Sequence, residues 1–464
     1  MNRIHAGVLT IVASAVLAAC GGGDDDDEPP ARATIVTAQL AGQATAAQID
    51  QGTAASGIQP LTGAAACDVD IRYVLYMTRD PAGKPATAST AVFVPSGTAA
   101  QCSGNRPVVL YAHGTTTTKS YNIADISRDT TTGAFNNAGG SEGSLIVAMY
   151  AAQGYIVVAP NYLGYDKSSL SWHPYLNADG QAVDMVDGLR AAKAHLTTTS
   201  GSKPSDKLFI TGYSQGGHVA MATHRALERD YGGEFTVTAS APMSGPYNMV
   251  GMGDAVTAGQ VNAGAIIFTP LVINSYQRSY SNVYTDINDV YQEPYAATAE
   301  TLFPTDDSLS DLIAAGKLPN DPTFTNMLFG PGGLLTDEFR DSYEGSGYRK
   351  DLVTNTLAGV DGTTTIVWKP QHPVALCGGA GDPTVFWAVN APVAQQAFAT
   401  QQVQVPAFNL EDRASLPAGV AGDQIYGGFQ QAKQAAGANV TAQYHGTLVP
   451  PFCNALVRGF FSAL

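Results

Sequence analysis

The pentapeptide Gly212-Tyr213-Ser214-Gln215-Gly216 constrains this chain more than any other feature. It follows an apolar run at residues 207–211 (KLFIT) and precedes helix-forming residues from 215 to about 228. A strand that passes into a helix across G-x-S-x-G must turn so tightly that the flanking positions have no room for side chains. The turn lifts the serine hydroxyl above a sheet, at a helix N-terminus that favours developing negative charge. With 49 glycines in 464 residues, the pentapeptide alone could arise by chance. The strand before it and the helix after it give it weight, and Ser214 becomes the candidate nucleophile.

The flanking sequence alternates strand and helix signals. Residues 69–77 (VDIRYVLYM) open with polar–apolar alternation, 80–83 (DPAG) form a turn, and 89–95 read as a second strand, together a hairpin. Residues 107–112 (PVVLYA) are continuously apolar, as a buried parallel strand is. Helix at 144–153, strand at 155–159, helix at 182–196, the strand and helix around Ser214, and strand at 237–242 complete the series. This order predicts an α/β class protein with a mostly parallel sheet and helices on both faces, the α/β-hydrolase fold. From about 250 to 360 the alternation stops, and this stretch reads as a helix-rich lid insertion. Strand signals resume at 363–368 and 373–376, with a last strand expected at about 439–444. A hydrophobic content of 45% supplies a large core for a single domain with insertions.

The N-terminus reads as an export signal. Arg3 precedes a short apolar stretch at 6–17, and Leu17-Ala18-Ala19-Cys20 closes it. The stretch is too short to span a bilayer. Leu-Ala-Ala-Cys resembles a bacterial lipobox, which implies cleavage before Cys20 and acylation of that cysteine. The expected organisation is a signal peptide at 1–19, a flexible tether and N-terminal arm at 20–65, and the hydrolase domain at 66–464. Such a protein is exported and held to a bacterial membrane by its lipid. Removing Cys20 from the five cysteines leaves Cys67, Cys102, Cys377 and Cys453, with no C-x-x-C pair to suggest zinc. Cys67 and Cys102 lie at neighbouring ends of the hairpin. Cys377 ends the strand at 373–376 and Cys453 lies beyond the last one. Cys67–Cys102 and Cys377–Cys453 are therefore the expected disulfides, four free thiols being the alternative. The net charge of −15 repels phosphate backbones and argues against a nucleic-acid partner.

A serine nucleophile needs a base, and chain order in this fold is Ser, acid, His. Among eight histidines, His5, His113, His173 and His195 precede Ser214, and His218 and His224 ride on the following helix. His372 and His445 remain. His445 follows the last expected strand, where a loop can carry its ring back over the serine, and is preferred. Asp382 stands in the glycine-rich loop after the strand at 373–376, upstream of His445, and is the expected acid. Gly-Asp-Pro is also ordinary turn chemistry, and Glu411, Asp412 and Asp423 compete. The oxyanion needs preorganised N–H donors. Gln215 supplies one and Thr115, after His113-Gly114, the other, with Gly114 letting the backbone approach substrate and His113 supporting that loop.

Several segments resemble the secretory lipase family, the fungal lipase-A-like α/β hydrolases and their bacterial relatives. They are Tyr76-Met77-Thr78-Arg79-Asp80 with Gly83, Ala159-Pro160-Asn161-Tyr162-Leu163-Gly164-Tyr165, His173-Pro174-Tyr175, and GYSQGG at 212–217. The resemblance implies a triad of Ser214, Asp382 and His445 and a lid before the acid. Asp166 departs from it, where many relatives have Gly. Tyr276, Tyr280 and Tyr284 recur at helical spacing in the lid, facing either an acyl chain or the lid's own interior. The expectation is a serine carboxylic ester hydrolase acting on a small-molecule or lipid-like ester, with no metal or organic cofactor. A serine peptidase of the same fold and a non-catalytic surface lipoprotein are the rivals.

Overall fold

Why the apolar runs become a sheet is visible in a computed structural model of the chain, which describes residues 30–321 and 326–464. The signal peptide, Cys20 and the start of the tether lie outside the described residues. The first strands are β1 (Ile35–Ala44), β2 (Asp68–Arg79), β3 (Pro85–Ser96), β4 (Asn105–Ala112), β5 (Ile156–Pro160), β6 (Lys203–Tyr213) and β7 (Ala239–Met243). After them come β8 (Ala358–Val360), β9 (Thr365–Val367), β10 (Leu376–Gly378) and β11 (Ala407–Asn409). Nine of these form one sheet in the order β1-β2-β3-β5-β4-β6-β7-β10-β11. The hairpin edge is antiparallel, and every pairing from β5 through β11 is parallel. Val108–Ala112, Ile156–Pro160 and Leu208–Tyr213 are buried throughout, because helices cover both faces of a parallel sheet.

The covering helices begin with α1 (Ala46–Ala55), α2 (Gln59–Thr62), α3 (Gly140–Met149), α4 (Ala178–Thr198) and α5 (Gln215–Asp230). The insertion then supplies α6 (Met249–Thr257), α7 (Ala265–Tyr280), α8 (Leu309–Ala314), α9 (Asp337–Asp341) and α10 (Gly347–Thr354). It has a hydrophobic core of its own around Ile273, Tyr276, Tyr291 and Leu334, and its Met249, Val272 and Phe339 line a cavity together with Ser214. The chain closes with α11 (Ala391–Thr400), α12 (Val420–Ala436), α13 (Val440–Gln443) and α14 (Val449–Ser462). Among the described residues no helix is long and apolar enough to cross a membrane.

Three expectations need correction. The arm expected to be loose to residue 65 instead contributes β1, which pairs with β2 along its length. An edge strand is held by its main-chain ladder and turns most side chains to solvent, so it needs few large apolar residues. Residues 365–367 are a strand, but they pair only with β8, outside the main sheet. The strand expected at 439–444 is helical: α13 runs into a π-helical turn at Tyr444–Leu448 and then α14. β11 already occupies the edge beside β10, so β-branched Val440 and Thr441 have no partner strand, and packing overrides their propensity.

Two disulfides pin this arrangement. Cys67 is bonded to Cys102 and Cys377 to Cys453. Bonds of this kind belong to an oxidising compartment.

Candidate active site

The turn from β6 into α5 is built by exclusion. A Cβ on Gly212 would lie 2.4 Å from the carbonyls of Ala112 and Gly216, and one on Gly216 would lie 1.9 Å from that of Ala112. Gly217 is as tightly held, 2.5 Å from the Met243 carbonyl. Ser214 itself sits at φ 59°, ψ −121°, a conformation costing about 1–3 kcal/mol for a residue with a side chain. The main-chain bond from Ser214 N to the Met243 carbonyl, 3.0 Å, holds it there. Strain of this size at the tip of a strand aims one hydroxyl, and Ser214 is 8% exposed.

His445 Nε2 lies 2.8 Å from Ser214 Oγ, and His445 Nδ1 lies 2.7 Å from Asp382 Oδ2. The other carboxylate oxygen of Asp382 accepts the N–H groups of Thr384 at 2.9 Å and Val385 at 3.0 Å. Asp382 is thus fixed by its own turn and, by accepting from Nδ1, leaves Nε2 able to accept a proton from Ser214. His445 reaches Ser214 from the π-helical turn rather than from a strand-end loop; such turns recur at functional sites. His372, the other histidine of suitable chain order, instead faces Glu228 at 2.9 Å. Of the competing carboxylates, Glu411 is held by Lys433 and Tyr444, Asp423 by Arg413, and Asp412 caps the turn at Ala414.

Around the expected oxyanion site the structure shows supports that sequence reading missed. Gln215 Nε2 lies 2.6 Å from His173 Nε2, whose Nδ1 donates to the Leu163 carbonyl at 2.7 Å. Burial pushes the His173 pKa down to about 3, so the ring is neutral and its Nε2 accepts. Thr115 Oγ1 bonds Tyr175 Oη at 2.8 Å. The two resembling segments around Tyr162 and His173 therefore act as scaffolding for the residues flanking the serine. Glu142 accepts from Gly114 N at 3.1 Å and from the hydroxyls of Tyr111 and Tyr121 at 2.9 and 3.3 Å. Burial raises its pKa while these three donors pull it back. Gly114 has room for a Cβ, nothing lying closer than 3.6 Å, so local sterics do not demand a glycine there. His113 is stacked between Tyr121 and Tyr162 beneath this loop.

The remaining candidates fall elsewhere. Tyr276 is fully buried and packs edge-on to Tyr280, while Tyr284 bonds Glu300; all three serve the insertion's own packing. Asp166 accepts from Tyr73 at 2.5 Å and Ser89 at 2.7 Å, tying the loop after β5 to the hairpin.

This geometry has relatives among solved structures. The rice cell wall degrading esterase LipA from Xanthomonas oryzae shares 30% identity with the chain. The match covers 90% of this chain and 100% of that one, at a TM-score of 0.69. The chain belongs to the lipase-A-like family of α/β hydrolases. A protein from Legionella pneumophila at 22% identity (TM-score 0.64, covering 81% of this chain and 91% of that one) has the same fold. So does Candida antarctica lipase A at 13% identity, with a TM-score of 0.55 and coverage of 81% and 76%. The Prolyl oligopeptidase family profile matches residues 142–242, the segment from α3 through β7 that includes Ser214. No curated protein sequence matches significantly. This lipase-A-like protein is a hydrolase of the esterase and peptidase type.

Proposed function

We propose that this lipase-A-like hydrolase is an exported, lipid-anchored serine carboxylesterase. The reading rests on the hydrogen-bonded chain from Asp382 through His445 to Ser214. Ser214 attacks the ester carbonyl as His445 takes its proton. His445 then returns the proton to the departing alcohol, and water releases the acyl group by the same route. The N–H groups of Thr115 and Gln215 receive the developing oxyanion. An open cleft of about 1460 Å³ reaches Ser214, His445 and Glu142. A second, apolar cavity of about 100 Å³ extends from Ser214 toward Met249, Val272 and Phe339 beneath the insertion. Pockets for drug-sized ligands run to about 300–1,000 Å³, so the cavity suits a short acyl group and the cleft the alcohol side. The Leu17-Ala18-Ala19-Cys20 sequence supports anchoring through Cys20.

The profile match at 142–242 favours a peptidase as the second reading. Hydrolysis of p-nitrophenyl esters of increasing chain length, set beside peptide p-nitroanilides, decides between them. Turnover of short esters is expected, falling by about four orders of magnitude or more in S214A, with loss of fluorophosphonate labelling. Preference for the anilides would favour the peptidase, and near-normal turnover by S214A would remove Ser214 as nucleophile. Mass spectrometry of the mature N-terminus tests the anchor: acylated Cys20 is expected, and a start elsewhere would reject it.

A further inference from the structure

At the far end of α5 from Ser214, two histidines and a glutamate converge. His224 and Glu228 stand four residues apart and so share one helix face. The loop before β10 brings in His372. His224 Nε2 lies 3.0 Å from Glu228 Oε1, and His372 Nδ1 lies 2.9 Å from the same oxygen. All three ligand atoms fall within 4.8 Å of one another.

Hydrogen bonding alone leaves this cluster crowded. Besides the two imidazoles, the N–H groups of Gln371 and His372 donate to Glu228 Oε1, at 2.9 and 3.1 Å. Four donors then compete for one carboxylate oxygen with two lone pairs. A cation that replaces the two imidazole protons reduces those four partners to three and exchanges two donors for one charge.

We propose that His224 Nε2, Glu228 Oε1 and His372 Nδ1 bind one zinc ion, or a divalent transition metal of similar coordination preference, with water as fourth ligand. Tetrahedral zinc with ligand bonds of about 2.0–2.1 Å needs ligand atoms about 3.3 Å apart; each imidazole nitrogen lies a few tenths inside that distance from Glu228 Oε1, and the two nitrogens lie within 4.8 Å of each other. The outer partners of a built site are present as well. His224 Nδ1 lies 2.8 Å from Ser240 Oγ, a hydroxyl able to accept from Nδ1–H when Nε2 binds the metal. Trp368 Nε1 donates to Glu228 Oε2 at 3.3 Å and orients the carboxylate. The His224 side chain is fully buried, that of Glu228 is 7% exposed and that of His372 33%, so an ion enters past His372 and water can complete the shell there.

His224 lies ten residue steps of about 1.5 Å each along the helix from Ser214, so this metal does not take part in hydrolysis. It ties the helix behind the nucleophile to the loop that leads into β10 and the Asp382 loop. This departs from the expectation of a metal-free protein, because the third ligand is remote in sequence and completes no recognisable motif.

The test uses untagged mature protein stripped with a chelator. Calorimetric titration with zinc chloride is expected to show one equivalent bound, and cobalt(II) should give the visible absorption of a tetrahedral site. Tm should rise with zinc while ester turnover changes less than about twofold. H372A and E228Q should each weaken binding by about tenfold or more; H372A alters a rim residue, and circular dichroism checks that it folds. Absence of stoichiometric uptake by the wild-type protein, or uptake unchanged in both variants, would overturn the proposal.

Discussion

Tyr444 donates its phenolic proton to Glu411 across 2.7 Å and accepts the Gly381 N–H at 3.1 Å. One side chain thus joins the turn that carries His445 to the loop that carries Asp382. Lys433 holds Glu411 from the other side at 2.6 Å. Tyr444 occupies the space a Cβ on Gly379 or Gly381 would fill, at 2.2 and 3.0 Å, which explains the two glycines ahead of Asp382.

Y444F should therefore lower kcat while leaving KM nearly unchanged, by about tenfold, since small losses of alignment slow acyl transfer steeply. E411Q, which keeps a hydrogen-bond acceptor, should lose less. Stopped-assay kinetics on one short p-nitrophenyl ester provide both numbers. A Y444F enzyme with normal kcat would show that the brace contributes nothing to alignment.

His173 supports Gln215 and through it the expected oxyanion site. Removing an oxyanion donor outright costs about 10²–10³ in rate, so H173A, which only loosens one, should cost less than that. Affinity for an alkyl boronic acid should fall by the same factor as kcat/KM, because both report transition-state binding. A loss of stability without this parallel would mark His173 as scaffolding only.

The disulfides should differ in their effect on activity. Their partners are 35 and 76 residues apart, so each stabilises by roughly 3–5 kcal/mol through the unfolded chain. C377S/C453S frees the strand leading to Asp382 from the helix after His445, and should reduce kcat as well as Tm. C67S/C102S lies at the hairpin and should reduce Tm alone. Paired melting and rate measurements separate these outcomes.

Two buried groups should tilt stability with pH in opposite directions. Burial, helped by nearby Asp187, pushes the Asp184 pKa up to about 7. The native state then keeps a proton that the unfolded chain releases near pH 4, and stability falls as pH rises through that interval. D184N should gain on wild type from pH 4 to 7 by about 1.4 kcal/mol per unit at most. Burial holds the His218 pKa down at about 4, below an unfolded value of about 6.5. Stability from this group is lost as pH falls from about 6.5 toward 4, so H218Q should gain on wild type as the medium is acidified. Urea unfolding at half-unit pH steps measures both slopes, and parallel curves would contradict them.

Much of the site was legible because its requirements are local. Gly212, Gly216 and Gly217 are dictated by contacts under 3 Å, and the apolar run and helix beside them are short-range patterns. Chain order narrowed the candidates and strand-end position gave preference to Asp382 and His445, which form one hydrogen-bonded line with Ser214. Strand-end positions likewise suggested the cysteine pairs that are joined. The supports around them were not legible. His173, Glu142, Glu411 and Tyr444 are ordinary polar residues whose partners lie far away in the chain, and neither spacing nor composition signals such pairs.

The sequence by itself determined the α/β class, the elbow at Ser214 and the place of the insertion, since each follows from periodicity and steric exclusion within a few residues. Only the tertiary structure decided that residues 35–44 are an edge strand and that 440–448 are helical. It alone brought His224, Glu228 and His372 together. Local propensity differs between strand and helix by about 1 kcal/mol or less per residue. The presence of β2 beside one segment, and of β11 in the place the other would have taken, outweighs so small a preference.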